Sequence, residues 1–185
     1  MKKAMIVTTV LTCAAAVVFA LLYKQTAAEV FEVLMITSVT TMYHFAMRLC
    51  VGYVLNGILQ NRVDHTKWWF AQRSFEQRLY KVLHVRRWKD RMPTFDPSQF
   101  DMHTQTPQQL LGVMCQAELV HEVIVVFSFV PLLFTLIWGT FPVFLLTSVA
   151  AALIDICFVI MQRYNRPRVL RLLSKRSDTQ NGDVK

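Results

Sequence analysis

The sequence predicts an all-α protein: a four-helix transmembrane bundle with a cytoplasmic amphipathic helix lying in the membrane interface. Three observations lead there. The 185 residues are 54% hydrophobic with a mean hydropathy of +0.36, too apolar for an ordinary soluble domain. Four apolar runs, 4–22, 30–55, 110–133 and 141–161, approach the ~20 residues a helix needs to cross ~30 Å of hydrocarbon. Of 20 Lys and Arg, two precede the first run, nine fall at 62–91 and seven at 163–185, whereas the opposite loops hold only Lys24. The positive-inside rule therefore predicts a multi-pass protein of the cell membrane with both termini and the long central segment in the cytoplasm.

Each element follows from its own residues. The opening "MKKAMIVTTVLTCAAAVVFALL" is longer than the apolar core of a usual secretory signal, so it reads as an uncleaved first span. The run at 30–55 is the second span. At 67–90, Trp68, Phe75, Leu79, Val82 and Leu83 recur at helical spacing with Arg73, Glu76, Gln77 and Lys81 between them, the pattern of an interfacial helix with tryptophans at headgroup level. Pro93, Pro97 and Pro107 then punctuate a polar loop before the third and fourth spans. We expect a single integral membrane domain at 1–175 and a disordered tail at 176–185. Cys13, Cys50, Cys115 and Cys157 all lie in spans without paired metal-ligand spacing, and read as packing residues. The net charge of +8 is explained by the flanks of the spans, so membrane lipid is the expected partner and nucleic acid is not.

Polar residues inside the spans are the functional signal, because ionisable groups in hydrocarbon are costly and usually face a protein interior. His44 and Arg48 are four apart, and Glu118, His121 and Glu122 occupy i, i+3 and i+4, so each set shares one helix face. At ~1.5 Å per residue, Arg48, Glu118 and Asp155 form a layer about 10 Å from the cytoplasmic end, with His44, His121 and Glu122 one turn deeper. Arg48 between Glu118 and Asp155 makes a reasonable buried ion pair. A neutral His beside a carboxylate is a proton acceptor.

Three chemistries fit this set. In acyl transfer, His44 or His121 takes a hydroxyl proton, a glutamate orients the imidazole and Arg48 stabilises developing negative charge. A metal site of His44, Glu118, His121 and Glu122 is the alternative. Lipid binding without reaction is the third. No HExxH, HxxxH, HxxHH or GxSxG pattern occurs, which weighs against metal hydrolase, desaturase and serine hydrolase readings.

The blocks "YHFAMR", "FEQRLYKVLHVRRWKDRMP", "AELVHEV" and "QRYNRPRVLRLL", in this order, resemble the small membrane proteins of the bacterial glycosyl-4,4'-diaponeurosporenoate acyltransferase family. The likeness covers 43–173. It implies an O-acyltransferase that moves a fatty acyl chain onto a hydroxyl of a glycosylated or lipid acceptor, in a setting like carotenoid biosynthesis. It needs no cofactor beyond an acyl-CoA or phospholipid donor. The resemblance marks His44, Arg48, Glu76, Tyr80, Asp90, Pro93, Glu118, His121, Glu122 and Pro167, together with Trp88, Lys89, Arg163, Asn165 and Arg166. We assign this last group to substrate binding. Arg86, Arg87, Lys89, Arg163, Arg166 and Arg168 are suited to donor phosphates, and "NRP" at 165–167 suggests a fixed turn ending the last span.

Overall fold

A computed structural model describes residues 2–95, 97–100 and 105–182. Its helices are α1 (Lys2–Thr26), α2 (Glu29–Leu59), α3 (Glu76–Val82), α4 (Val85–Trp88), α5 (Pro107–Phe127), α6 (Thr135–Trp138) and α7 (Phe141–Gly182). Short 3-10 turns occur at Trp68–Phe70, Lys89–Arg91, Pro97–Phe100 and Val130–Phe134, and there is no strand among the described residues. Four stretches are long and apolar enough to cross a bilayer: Lys2–Thr26, Glu29–Leu59, Pro107–Trp138 and Phe141–Lys175. The chain is thus an all-α membrane protein, as its composition predicts.

The residues group into two compact units, Met1–Tyr53 with Ile124–Leu153, and Val54–Val123 with Ile154–Lys185. In the first, hydroxyls within the helices return to carbonyls one turn back, as Thr9 to Met5 and Thr40 to Ile36. Polar side chains are thereby satisfied where water is absent. Val7, Val10, Leu11, Val17 and Leu21 of α1 remain exposed, a surface suited to lipid. Phe144 is fully buried, and the rings of Phe134 and Trp138 pack against it. Pro131 falls in the 3-10 turn that follows α5, so the expected span at 110–133 is helical only to Phe127 before this tighter turn. Gly139, at φ 70°, ends α6 and donates its N–H to the Thr135 carbonyl, the left-handed cap that glycine adopts without a Cβ penalty.

The second unit holds the larger share of buried polar groups. Thr106 and Gln109 cap α5 reciprocally: the Gln109 N–H reaches Thr106 Oγ1 and the Thr106 N–H reaches Gln109 Oε1, with Pro107 as the first helical residue. Leu110, Leu111 and Met114 of α5 bury against Val169 of α7, joined by Phe100 and Leu173. The end of α2 is latched to α5. Gln60 and Asn61 turn left-handed, the Asn61 N–H donates to Gln116 Oε1 at 2.6 Å, and Gln116 Nε2 donates to Asn56 Oδ1. A Cβ at Gly112 would collide with the Asn61 carbonyl oxygen, so this close approach requires glycine there.

Two expected boundaries change. The single helix expected at 67–90 is instead α3, α4 and their flanking 3-10 turns. His84 turns left-handed at φ 49° and Trp88 Nε1 donates to the Leu83 carbonyl, which folds the segment back on itself. Its buried residues are Phe70, Glu76, Tyr80 and Val85, not one continuous stripe. The turn expected at 165–167 is absent, because α7 runs through Pro167. Proline there removes one helical N–H, but Arg163 and Arg166 anchor the preceding turn to neighbouring elements. In the segment expected as a tail, the backbone at 176–182 continues α7, and 183–185 lie outside the described residues.

Candidate functional site

Two helical stripes in the second unit build the site. On α5, Glu118, His121 and Glu122 share a face. On α7, Asp155, Phe158, Gln162, Arg166 and Val169 are all buried at spacings of three and four, which puts them on one face as well. The 68–82 segment contributes Trp69, Phe70, Glu76 and Tyr80.

Glu118, with no exposed surface, sits at the centre. Arg163 Nε lies 2.8 Å from its Oε1, and Arg166 Nη2 pairs with its Oε2. Arg163 also donates through Nη1 to Glu76 Oε1 at 2.6 Å and through Nη2 to the Trp69 carbonyl at 2.8 Å. Arg166 donates Nη1 to the Phe70 carbonyl at 2.7 Å and lies over the Phe70 ring. Glu76 Oε2 accepts the Tyr80 hydroxyl at 2.7 Å. Two guanidinium groups thus face two carboxylates, and their formal charges cancel. Such a set tolerates burial because each ion faces an opposite charge. Burial, then the bond to Glu76, pushes the Tyr80 phenol well above its usual range. It therefore remains a proton donor to Glu76 at neutral pH.

Beside this network, His121 Nδ1 lies 2.8 Å from Asp155 Oδ1. The Asp155 side chain is 2% exposed and that of His121 22%. The imidazole stacks on Phe158 with centroids 4.5 Å apart and planes 5° from parallel. An ionised carboxylate can only accept, so the proton of a neutral ring sits on Nδ1 and Nε2 keeps its lone pair. Glu122 Oε2 accepts Trp69 Nε1 at 2.9 Å, tying the 3-10 turn to α5.

The arrangement brings together Glu118, His121, Glu122, Arg163 and Arg166 from the candidate residues. Glu118, for which the sequence suggested Arg48, is held by Arg163 and Arg166. These two arginines neutralise carboxylates, so they are poorly suited to the phosphate-gripping role expected of them. Trp88 bonds the Leu83 carbonyl, Lys89 pairs with Asp90, and Asn165 is half-buried on α7. His44 and Arg48 belong to the first unit: His44 is buried beside the Tyr43 ring, and Arg48 donates to the carbonyls of His44 and Ala151. For the metal alternative, Glu118 already holds two guanidinium groups. No cluster of three or more His, Cys, Asp or Glu among the described residues is arranged to take an ion.

Sequence reasoning missed Asp155 as the partner of His121, and Trp69 as the partner of Glu122. The first was findable from the 155–158–162–166 stripe. The second was not, because the Trp69 contact depends on how a short irregular segment folds.

A membrane protein with a buried carboxylate–guanidinium network and an adjacent His–Asp pair is the class these features define. A family model described as glycosyl-4,4'-diaponeurosporenoate acyltransferase matches residues 66–175, more than half of the chain and every member of both side-chain groups just described. The chain belongs to that family, and is a membrane acyltransferase in that general sense. No curated protein and no solved structure matches it.

Proposed function

We propose that the protein transfers a fatty acyl chain to a hydroxyl of a glycosylated or other lipid acceptor, with His121 as general base and Asp155 as its positioning residue. The observation that carries this reading is the 2.8 Å His121–Asp155 pair on a ring that keeps some exposure. His121 Nε2 takes the acceptor O–H proton as that oxygen attacks the acyl carbonyl. A new ester C–O bond forms, the bond from the acyl carbon to its carrier breaks, and the proton passes to the departing carrier atom. The Glu118–Arg163–Arg166–Glu76 network fixes α5, α7 and the 68–82 segment around that base. His44 and Arg48 stay as further candidates for the same chemistry, and His44→Gln and Arg48→Met in the assay below test them separately: unchanged turnover in a variant removes that residue from the site.

Mass spectrometry of lipid extracts from cells with and without the protein tests the activity. One lipid should gain the mass of a fatty acid less water only when the protein is present. Identical extracts across growth conditions would rule the activity out.

The orientation proposed has both termini and the 62–91 segment in the cytoplasm, supported by eighteen of the twenty Lys and Arg lying on that side. A cysteine at Gly139 should react with an impermeant reagent applied outside intact cells, and one at Lys67 should not. Labelling at Lys67 would reverse the orientation.

A further inference from the structure

A groove of about 890 Å³ lies between the α3–α4 segment and the 164–171 stretch of α7. Five permanent cations line it, Lys81, Arg86, Arg87, Arg168 and Arg171, with His84 beside them and no Asp or Glu in the lining. Among the described residues none of the five cations forms an ion pair with a carboxylate. Arg168 is pre-set by a hydrogen bond to the Tyr164 hydroxyl at 3.1 Å and by lying over that ring, while Arg171 Nε donates to the Pro167 carbonyl. The rings of Tyr80 and Tyr164 meet edge to face, 5.2 Å apart, at the same wall. By contrast, Arg163 and Arg166, a few residues away, are neutralised by Glu118 and Glu76.

We propose that this groove binds the phosphates and adenine of coenzyme A, so that the acyl donor is a coenzyme A thioester. The inference rests on the acyltransfer reading for its biological meaning, though not for its binding chemistry. Coenzyme A carries a diphosphate and a phosphomonoester, the latter alone worth about −1.5 to −2. Its charge thus approaches that of the five cations. A phospholipid headgroup offers a single phosphodiester and would leave most of them unmatched. The groove is open, so the match in number of charges, rather than enclosure, is what favours a discrete polyanion over the diffuse attraction of anionic lipid. The paired tyrosine rings give an apolar surface for the adenine. Tyr80 also lines a second, smaller cavity of about 360 Å³ with Phe75, Leu79 and Ile160 on its apolar side and Arg73, Glu76 and Arg163 on its charged side, a mixed space suited to the amide-bearing pantetheine arm.

The test uses the full-length protein in phosphatidylcholine nanodiscs, titrated with free coenzyme A by calorimetry. Binding should weaken steeply with salt and fall roughly tenfold or more for each guanidinium removed in Arg86→Gln and Arg168→Gln. Both side chains are exposed, so these variants should melt like the parent, and Arg168→Lys should recover part of the loss. Nanodiscs containing phosphatidylglycerol should leave coenzyme A binding largely intact. Absence of binding, equal binding by the Gln variants, or displacement by phosphatidylglycerol would overturn the proposal, the last by assigning the groove to lipid headgroups. Acyl transfer without coenzyme A binding would sink the groove and spare the enzyme. Coenzyme A binding that depends on Arg86 and Arg168, with no acyl transfer, would do the reverse.

Discussion

Asp155→Asn is expected to lower acyl transfer by roughly 10² to 10⁴ with little change in apparent acceptor affinity, and His121→Gln to do the same. The asparagine keeps the volume of the side chain but can turn an N–H toward the ring. The imidazole proton then moves to Nε2, the atom that must accept, and the base is lost although the ring remains. Because the two residues act as one unit, the double variant should be little worse than either single one. A purely structural role predicts otherwise: activity would fall in step with the melting temperature, and the two changes would add. The measurement is therefore kcat and KM for each variant beside its thermal unfolding in detergent. Turnover within about threefold of the parent in both single variants would remove the dyad from the mechanism.

How much of this was legible in the sequence depends on which interaction set each element. The transmembrane helices are dictated by length and hydropathy, since a backbone in hydrocarbon must satisfy its own hydrogen bonds; four apolar runs therefore sufficed to predict them. The face of α5 carrying Glu118, His121 and Glu122 was legible for the same reason, being polar spacing in an apolar run. Their partners were not. A depth ruler assigns residues to layers but not to azimuths, so it set His121 one turn deeper than Asp155, whereas Asp155 Oδ1 lies 2.8 Å from His121 Nδ1. Arg163 and Arg166 read as interfacial cations because they follow the apolar run, yet α7 continues past Pro167 as a helix and turns them inward to Glu118 and Glu76. The 68–91 segment was least legible. Its apolar residues repeat at helical spacing, but the left-handed His84 and the Trp88 to Leu83 bond break that periodicity into pieces whose buried members come from different turns.

Glu118→Gln should cost about 3 to 5 kcal/mol of stability, the usual penalty when one partner of a buried ion pair is removed. Glu118 has no exposed surface and engages two guanidinium groups, and Arg166 is itself 3% exposed. Without the carboxylate, the contacts Arg166 keeps among the described residues are the Phe70 carbonyl and ring, neither of which carries a compensating charge. Arg163 suffers less because Glu76 still holds it at 2.6 Å. The asymmetry makes a second expectation: Arg166→Gln added to Glu118→Gln should restore part of the loss, since it removes the cation left stranded, whereas Arg163→Gln added to Glu118→Gln should restore less and free Glu76 in turn. Coupling of about 0.5 to 3 kcal/mol is the range for residues in one network. Denaturant or thermal unfolding of the three variants in detergent measures these differences. If Glu118→Gln unfolds with the parent, or if the two double variants are equally stable, the carboxylate is not what holds α5 and α7 to the 68–82 segment.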